Sequence, residues 1–347
     1  MKLDVELHEG VLARDWTSAR GRTGERTSAR LRLFGPSGMV GVGEATPLPG
    51  YSPEELSTAV DELGAVPLQE LLPVLDSDDP VAAAFRNPAL VALSASARCG
   101  LEMALLDMIS QQRGILFSEL FDTESTDTLE TAAVITLGDS SLEQARACLD
   151  RGAAALKFKI GNDVTAEVEW IRQVREVVGA EVSIRFDANG APGLQDADRD
   201  RLVTALVEAN PEFVEEPGGL AVGEAAGFPV ALDESLAAIS DAKALEMRIR
   251  EAGARFVVLK PMLLGGVSRA FWMANEARRH GAEPVISHLV DGPIAFSSYV
   301  HLACALGAKT SAGLGPHPGL EALGAERLSG FTLIRPTAPG LSAPVKS

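Results

Sequence analysis

Three acidic residues end successive apolar, β-type runs in the middle of the chain: Asp187, Glu215 and Asp233. If these runs are neighbouring strands of a parallel barrel, their carboxyl ends meet at one face and the three carboxylates converge there. Uncompensated carboxylates repel one another, and a set of oxygen ligands suits a hard divalent cation. The alternative for each residue alone is a helix cap or a loop acid. Three such residues in consecutive runs, with lysines on both flanks, instead predict a site for Mg²⁺ (or Mn²⁺).

Lysine residues end the runs on either side of these acids. Lys157 and Lys159 are two residues apart, so on a strand their side chains point the same way. Lys260 ends a run four strands further along, which lies opposite in an eight-stranded ring. A nearby cation and Lys157 both disfavour the ammonium form of Lys159, so we expect its pKa to fall and Lys159 to serve as a base. Buried strand ends argue against surface lysines, and the pattern predicts proton abstraction next to a carboxylate, with the cation stabilising the enolate.

The elements that must position these residues alternate regularly from about residue 131. Apolar β-type runs alternate with amphipathic helices, and an eighth unit near Lys309 and Thr310 is degenerate. The pattern favours a TIM-type barrel over an open doubly wound sheet, because the glycine fingerprint G-x-G-x-x-G does not occur. The predicted strands are 131–136, 154–160, 182–187, 212–215, 229–233, 255–260 and 283–287, and the predicted helices are 142–151, 164–178, 197–209, 243–251, 268–280 and 294–306.

The first part of the chain has a different pattern. Alternating runs at 3–7, 29–34 and 39–42 predict antiparallel strands. Ser52-Pro53-Glu54-Glu55 has the cap and capping-box signature of a helix start, and a longer helix is predicted over 90–113. We therefore predict an N-terminal α+β domain over 1–125, a barrel over 126–325, and a C-terminal segment over 326–347 that returns to the first domain.

Composition excludes several classes of partner. The 347 residues carry 31 Lys and Arg against 48 Asp and Glu, a net charge of −17. Such a balance argues against an extended phosphate-binding face and against attraction to anionic membranes. Neither a signal-peptide run at the N-terminus nor a membrane-spanning run is evident, so we expect a cytoplasmic protein with a small-molecule carboxylate substrate and no nucleic-acid or membrane partner. The three isolated cysteines, Cys99, Cys148 and Cys304, are expected to be small buried apolar residues rather than a disulfide or metal framework.

Five ordered motifs give the chain a family likeness. KFK at 157–159, FDAN at 186–189, VEEP at 214–217, LDES at 232–235 and LKP at 259–261 together resemble the enolase superfamily, in its muconate-lactonising subgroup. The stretch 41–52, GVGEATPLPGYS, is similar to a segment of the o-succinylbenzoate synthases. The resemblance implies a modified TIM barrel of the (β/α)7β type with an N-terminal α+β capping domain. It also implies a lyase, the Mg²⁺-dependent dehydration of 2-succinyl-6-hydroxy-2,4-cyclohexadiene-1-carboxylate to o-succinylbenzoate in menaquinone biosynthesis.

The resemblance also assigns roles to individual residues. Lys159 would remove the α-proton and then protonate the leaving hydroxyl, and Lys260 would stabilise the enolate from the opposite face. The stretch 21–26 occupies the place of the family's mobile capping loop. The three strand-end acids would hold Mg²⁺. The expected substrate contacts are Lys157, Arg185, Asn189 and Ser287.

One segment departs from the family pattern. After strand seven, where the family often has a serine-rich segment with Glu-Ser, this chain has the stretch 287–293, SHLVDGP. Ser287 still fits a substrate contact, and Asp291 is a candidate replacement for the glutamate. His288 is either a substrate contact or a structural histidine.

Other activities fit the same lysine pair. Two opposed lysines suit an N-acylamino acid racemase, such as one acting on N-succinylamino acids, or a dipeptide epimerase equally well. Dipeptide epimerases of this superfamily usually carry Asp-x-Asp near strand eight, whereas this chain has Gly313-Leu314-Gly315. The PLPG segment disfavours a muconate cycloisomerase. An inactive barrel that serves as a binding protein is disfavoured because both lysines and all three acids are present.

Overall fold

The computed structural model of the protein describes most of the chain. The described residues are 1–18, 21–36, 38–121, 125–135, 138–161, 163–190, 194–220, 226–307, 309–325 and 330–341, with the backbone alone for 13–18 and 21–23.

An antiparallel sheet of three strands forms the N-terminal part, in the order β1 (Lys2–Ser18), β2 (Gly21–Phe34), β3 (Val40–Ala45). The predicted strands are confirmed and extend further than the alternating pattern indicated. The stretch 21–26, expected as a mobile capping loop, has strand backbone that pairs with β1. The prediction of a loop there was wrong because β1 and β2 continue their hairpin past the alternating segment.

Helices follow this sheet: α1 (Leu56–Ala65), α2 (Leu72–Leu75), α3 (Pro80–Arg86), α4 (Pro88–Val91) and α5 (Ala95–Arg113). The predicted helix start at Ser52 was wrong, because the Ser52 hydroxyl instead accepts a hydrogen bond from the Leu48 N–H at 3.0 Å. The carboxylate of Glu54 accepts from the Ser96 N–H at 2.7 Å. Glu54 therefore caps α5 rather than α1. The single helix predicted over 90–113 is divided in the structure between α4 and α5.

Glycine residues let β3 lie directly on α5. A side chain at Gly41 would overlap the Ala104 carbonyl, and a side chain at Gly43 would overlap the Gly100 carbonyl. The sheet and the helix therefore meet backbone to backbone, with fifteen residues of α5 buried.

A parallel sheet of seven strands forms the larger part of the molecule, with the strands in sequential order. They are β5 (Ala132–Ile135), β6 (Ala155–Lys159), β7 (Ser183–Asp187), β8 (Phe213–Glu215), β9 (Val230–Leu232), β10 (Ala254–Leu259) and β11 (Glu283–Ile286). Single bridges join Ala312 to Thr131 and Gly313 to Ser287, which closes the ring where the degenerate eighth unit was expected. The predicted (β/α)7β barrel is confirmed; Thr136, the end of the first predicted strand, lies outside the described residues.

The helices outside the sheet are α6 (Ser141–Asp150), α7 (Val164–Val178), α8 (Asp196–Ala209), α9 (Ala242–Ala252), α10 (Pro261–Leu264), α11 (Val267–Arg279), α12 (Pro293–Leu306) and α13 (Pro318–Ala322). Six of them lie within a few residues of their predicted positions, whereas the short helices α10 and α13 were not predicted. Every residue of α12 is buried, which explains its long uncharged sequence. Within the described ranges, no helix is both long and apolar enough to cross a bilayer.

The C-terminal residues pack along both parts of the molecule. Strand β12 (Thr332–Ile334) pairs antiparallel with β4 (Thr128–Glu130), and the Leu341 N–H donates to Asp107 of α5 at 2.8 Å. Parts of 326–347 lie outside the described residues, and the domain boundaries remain a prediction. The three cysteines are free, and two of them, Cys99 and Cys304, are buried.

The close approach of β3 to α5 can be tested at Gly43. Gly43→Ala should lower the free energy of unfolding by about 1–3 kcal/mol, because the added methyl group meets backbone that has no room to yield. Gly64→Ala is the control, because Gly64 lies in α1 with open space around it. Alanine there should raise the free energy of unfolding by about 0.5–1 kcal/mol. Chemical denaturation measures both, and an unchanged free energy for Gly43→Ala would contradict the packing described.

Candidate active site

The strand-end residues form a row across the carboxyl face of the barrel. Lys159 at the end of β6 lies in register with Asp187 on β7, which lies in register with Glu215 on β8. Asp233 directly follows β9, and Lys260 directly follows β10. The three acids are each only 2% exposed. The structure thus brings together the five residues predicted as metal ligands and acid–base groups.

Each buried carboxylate in this row has a lysine partner. Lys157 Nζ lies 3.0 Å from Asp187 Oδ2 and also contacts Glu215 Oε2, while Lys159 Nζ lies 3.3 Å from Asp187 Oδ2. Lys260 Nζ contacts Asp233 Oδ2. Lys159 and Lys260 therefore meet the row of carboxylates at opposite ends.

Burial and mutual repulsion shift the pKa values along the row. Burial, reinforced by the charges of Asp187 and Asp233, raises the pKa of Glu215 to about 7 despite Lys157. Burial also favours a neutral Asp187, but Lys157 and Lys159 outweigh it and lower the pKa of that carboxyl. For Lys260, burial acts against the ammonium form, and the neighbouring Asp233 overcomes it to raise the pKa. The site holds its charges only because opposite charges are adjacent.

The donor set fits a hard divalent cation. Three carboxylates supply oxygen ligands only, and the buried Oδ1 of Asp233 has no hydrogen-bond partner. Across the described part of the chain, no three His, Cys, Asp or Glu side chains already stand in metal-binding geometry, since the lysines occupy the facing oxygens. A cation would compete with these ammonium groups for the same oxygens.

Three of the four predicted substrate contacts, Lys157, Arg185 and Ser287, line the cavity at this row. Lys157 is 15% exposed at its side chain and lies within the row itself. Ser287 also lines the cavity, and its hydroxyl donates to the Gly313 carbonyl at 3.2 Å.

Arg185 and Asn189 are held by protein contacts. Arg185 also lines the cavity, and its guanidinium donates to Glu212 at 2.7 Å and to Thr310 at 2.9 Å. Asn189 donates its side-chain N–H to Asp187 and accepts from the Tyr51 hydroxyl at 3.0 Å. Both residues therefore hold the site's shape, Arg185 through Glu212 and Thr310 and Asn189 through Asp187.

The N-terminal part supplies residues that sequence reasoning missed. Leu48 and Tyr51 line the cavity, and the Tyr51 ring centroid lies 5.9 Å from Lys260 Nζ. Both residues belong to the segment 41–52 that carried the family likeness, which was the available signal. No local pattern could show that this segment reaches over the barrel.

Glu216 is a second residue that the sequence analysis did not single out. It adopts a positive φ of 39°, and its carboxylate accepts from the Asp233 N–H at 2.8 Å and the Ser235 hydroxyl at 2.6 Å. It therefore fixes the backbone at the third acid. The second of the two adjacent glutamates in the VEEP motif was the sequence signal that could have identified Glu216.

Buried charges join the N-terminal part to the barrel. The guanidinium of Arg26 donates to four backbone carbonyls, those of Thr46 and Pro47 on one side and Leu289 and Val290 on the other. The carboxylate of Glu44 accepts from two N–H groups at the start of α12, those of residues 294 and 295, at 3.1 and 3.2 Å. Arg26 thereby holds the loop of Leu289 and Val290, which lines the cavity, and Glu44 holds the start of α12.

In the segment after β11, the two candidate residues His288 and Asp291 have different surroundings. His288 lines the cavity, whereas Asp291 is fully buried and accepts from the Leu289 N–H at 2.8 Å. Asp291 does not line the cavity in the described residues, so its expected role as a replacement for the glutamate does not fit its position.

Comparison with known proteins identifies the family to which this chain belongs. A family model described as enolase C-terminal domain-like matches residues 140–347. The chain belongs to the enolase superfamily. It is 24% identical to an L-amino acid-D/L-Glu epimerase of Sulfurimonas denitrificans over 88% of this chain and 89% of that protein. It is 27% identical to muconate cycloisomerase 1-1 of Acinetobacter lwoffii over 80% of this chain and 74% of that protein, in line with the predicted muconate-lactonising likeness.

Solved structures of this superfamily share the whole fold. A dipeptide epimerase from Methylococcus capsulatus, complexed with Mg and the dipeptide L-Arg-D-Lys, is 24% identical with a TM-score of 0.81, and the match covers 98% of both chains. An N-succinyl Arg/Lys racemase from Bacillus cereus is 20% identical with a TM-score of 0.81, covering 100% of this chain and 96% of that one.

These relatives correct one prediction. The expected lyase class was wrong, because the similar proteins are epimerases and racemases, which are isomerases. The o-succinylbenzoate synthase likeness rested on the segment 41–52. In the structure, Gly41, Gly43 and Glu44 of that segment serve packing on α5 and capping of α12, so these three residues carry little information about the reaction.

The buried contacts of Arg26 and Glu44 that connect the N-terminal part to the barrel form a joint, and Asp291 lies within reach of both charges. The ionisation of Asp291 therefore predicts a pH-dependent change in the free energy of unfolding. Burial, with Arg26 opposing it, raises the pKa of Asp291 to about 6, so ionised Asp291 costs stability above pH 6 and the cost disappears as the pH falls towards 4. Asp291→Asn keeps an acceptor for the Leu289 N–H and should raise the free energy of unfolding at pH 8 by up to about 3 kcal/mol, with a smaller gain at pH 4.5.

The control is Asp241→Asn, at the exposed N-cap of α9. Its hydrogen bond from Ala244 lowers the pKa of Asp241, so the pH dependence has the opposite sign and no gain should appear at pH 8. Denaturation curves at both pH values measure the effect. A Asp291→Asn variant less stable than wild type at pH 8 would show that the charge of Asp291 stabilises the joint.

Proposed function

We propose that this protein is an isomerase that inverts the α-carbon of an N-acylated amino acid by proton transfer between Lys159 and Lys260. The observation that carries the proposal is the placement of these two lysines at opposite ends of one buried row of carboxylates, four strands apart. A group held between them would present one face to each lysine. That geometry suits removal of a proton from one face and delivery to the other.

Each lysine would act on one enantiomer. With Lys159 as the neutral amine and Lys260 as ammonium, Lys159 takes the α-proton and Lys260 donates a proton to the opposite face. The reverse assignment serves the mirror-image substrate. Lys157 would contact the reacting carboxylate together with Ser287.

Asp187, Glu215 and Asp233 would hold Mg²⁺ (or Mn²⁺). When bound, the cation would stabilise the negative charge that develops as the α-proton leaves. Competition for the carboxylate oxygens would also remove the partner that raises the pKa of Lys260, which favours its neutral form. The Mg complex of the dipeptide epimerase with the same fold supports this assignment.

The substrate class follows from the cavity wall. Where dipeptide epimerases were expected to carry Asp-x-Asp, this chain has Gly313-Leu314-Gly315, and Gly313 forms one of the bridges that close the ring. Among the described residues that line the cavity, the acids are Asp187 and Glu215, and both have lysine partners. A free ammonium group therefore lacks a carboxylate partner in this part of the site, which favours an N-acylamino acid such as an N-succinylamino acid over a dipeptide.

We also propose a location and a class of partner for this protein. An acidic chain that acts on a small carboxylate fits a cytoplasmic enzyme without a nucleic-acid or membrane partner.

The reaction is tested by α-proton exchange in D₂O, followed by NMR for each enantiomer of an N-succinylamino acid in the presence of Mg²⁺. The wild type should interconvert the enantiomers. Lys159→Ala and Lys260→Ala should each lose racemisation by about 10³-fold, while each retains exchange with a different enantiomer, because the remaining lysine faces only one side. A chelator should abolish every activity.

Lys243→Ala, at an exposed site on α9, is the matched control and should behave as wild type. Loss of exchange with both enantiomers in each active-site variant would contradict the two-base assignment. Faster turnover of a dipeptide than of the N-succinylamino acids would favour the dipeptide epimerase alternative.

A further inference from the structure

Tyr51 of the N-terminal part reaches across the carboxylate row. The side chain is buried, its hydroxyl donates to the side-chain oxygen of Asn189 at 3.0 Å, and its ring centroid lies 5.9 Å from Lys260 Nζ. Asn189 lies two residues beyond the end of β7, next to the first acid of the row, whereas Lys260 follows β10 at the far end. A single side chain from outside the barrel therefore lies close to both ends of the row.

Asn189 connects Tyr51 to the first acid. Its φ is 46°, in the left-handed region that asparagine adopts more readily than most residues. In this conformation its backbone N–H, at 3.2 Å, and its side-chain amide N–H both donate to Oδ1 of Asp187. A side-chain amide has an oxygen at one end and N–H groups at the other, so a hydroxyl donor at its oxygen favours the orientation in which the N–H end meets the acid.

These contacts give the two oxygens of Asp187 different surroundings. Oδ1 accepts both hydrogen bonds from Asn189, while Oδ2 faces the ammonium of Lys157 at 3.0 Å. The same ammonium contacts Oε2 of Glu215, so one oxygen of each acid already converges on a single positive charge. A divalent cation held by these acids requires the same convergence of oxygens.

We propose that Tyr51 is a positioning residue for the cation: through Asn189 it holds the Asp187 carboxylate with Oδ2 towards Glu215. This inference rests on the proposed cation site and adds that its affinity depends on contact with the N-terminal part. Groups that orient metal-binding side chains commonly change metal affinity by about 10- to 100-fold when they are removed. The coupling is reciprocal, so a bound cation should also strengthen the contact of Tyr51 with the barrel.

Two substitutions remove the successive links of this connection. Tyr51→Phe removes the hydroxyl and keeps the ring beside Lys260. Asn189→Gly removes the amide, and glycine adopts a φ of 46° without strain. Asn210→Gly is the matched control, because Asn210 ends α8 with a φ of 47° and undergoes the same change in the same backbone conformation.

The probe is Mn²⁺ alone, since the electron paramagnetic resonance signal of the free ion reports binding without substrate or turnover. At one fixed pH, Tyr51→Phe should weaken Mn²⁺ binding about five-fold, and Asn189→Gly about ten-fold or more. Asn210→Gly should bind Mn²⁺ as the wild type does. In the double variant, Tyr51→Phe should add no loss to that of Asn189→Gly, because the hydroxyl acts through the amide.

The double variant distinguishes positioning from a merely structural role. If Tyr51 only closes the cavity, its loss acts independently of the amide, and the two losses of affinity multiply in the double variant. Multiplied losses, or unchanged Mn²⁺ binding in Tyr51→Phe, would overturn the proposal.

A measurement on the wild type keeps the test independent of variant folding. Mg²⁺ should slow backbone hydrogen exchange in the segment 48–52, and the slowing should be lost in Asn189→Gly. Exchange that Mg²⁺ leaves unchanged in the wild type would overturn the proposal. Racemisation by the wild type would then leave the proposed function standing, whereas a wild type that binds no Mn²⁺ would remove the cation site and both proposals with it.

Discussion

Three carboxylates buried side by side at the strand ends are the constraint on which the rest of this structure depends. Unpaired, Asp187, Glu215 and Asp233 would repel one another in a site that water barely reaches, so cations must lie against them. Lysines on flanking strands supply that charge. They can do so only because the barrel places β6 and β10 on either side of the acids. The same pairing that compensates the charge leaves an amine at each end of the row, which is the arrangement that a two-base reaction requires.

A second requirement is that the N-terminal part be held firmly over this row. The joint combines buried charges with an apolar cluster that contains residues of both parts. Glu44 caps α12 of the barrel, and Arg26 binds the carbonyls of two cavity-lining loops. Because Arg26 also donates to the Val290 carbonyl and the Val290 N–H donates to Nδ1 of His288, the joint is linked to the loop that carries His288.

The sequence predicted the barrel and the row because both follow from local rules. Alternation of β-type runs and helices fixed the strand order, and the strand ends then identified Asp187 and Lys260. Contacts between distant parts of the chain were not predictable in this way. Glu54 has a helix-start signal but caps a helix through Ser96, 42 positions later, and Tyr51 meets Asn189 across 138 positions. The lyase expectation failed for a related reason, since several residues of the segment on which it rested serve contacts within the fold.

The central claim, that two lysines on opposite faces invert the α-carbon, is tested most directly by the isotope content of the first product. A single enantiomer of an N-succinylamino acid is incubated with wild-type protein and Mg²⁺ in D₂O, and the opposite enantiomer is analysed by mass spectrometry at low conversion. If the proton is removed by one lysine and replaced by the other, the product carries deuterium at its α-carbon from the first turnover. A product that retains the substrate's own proton, or no inverted product at all, would contradict the account.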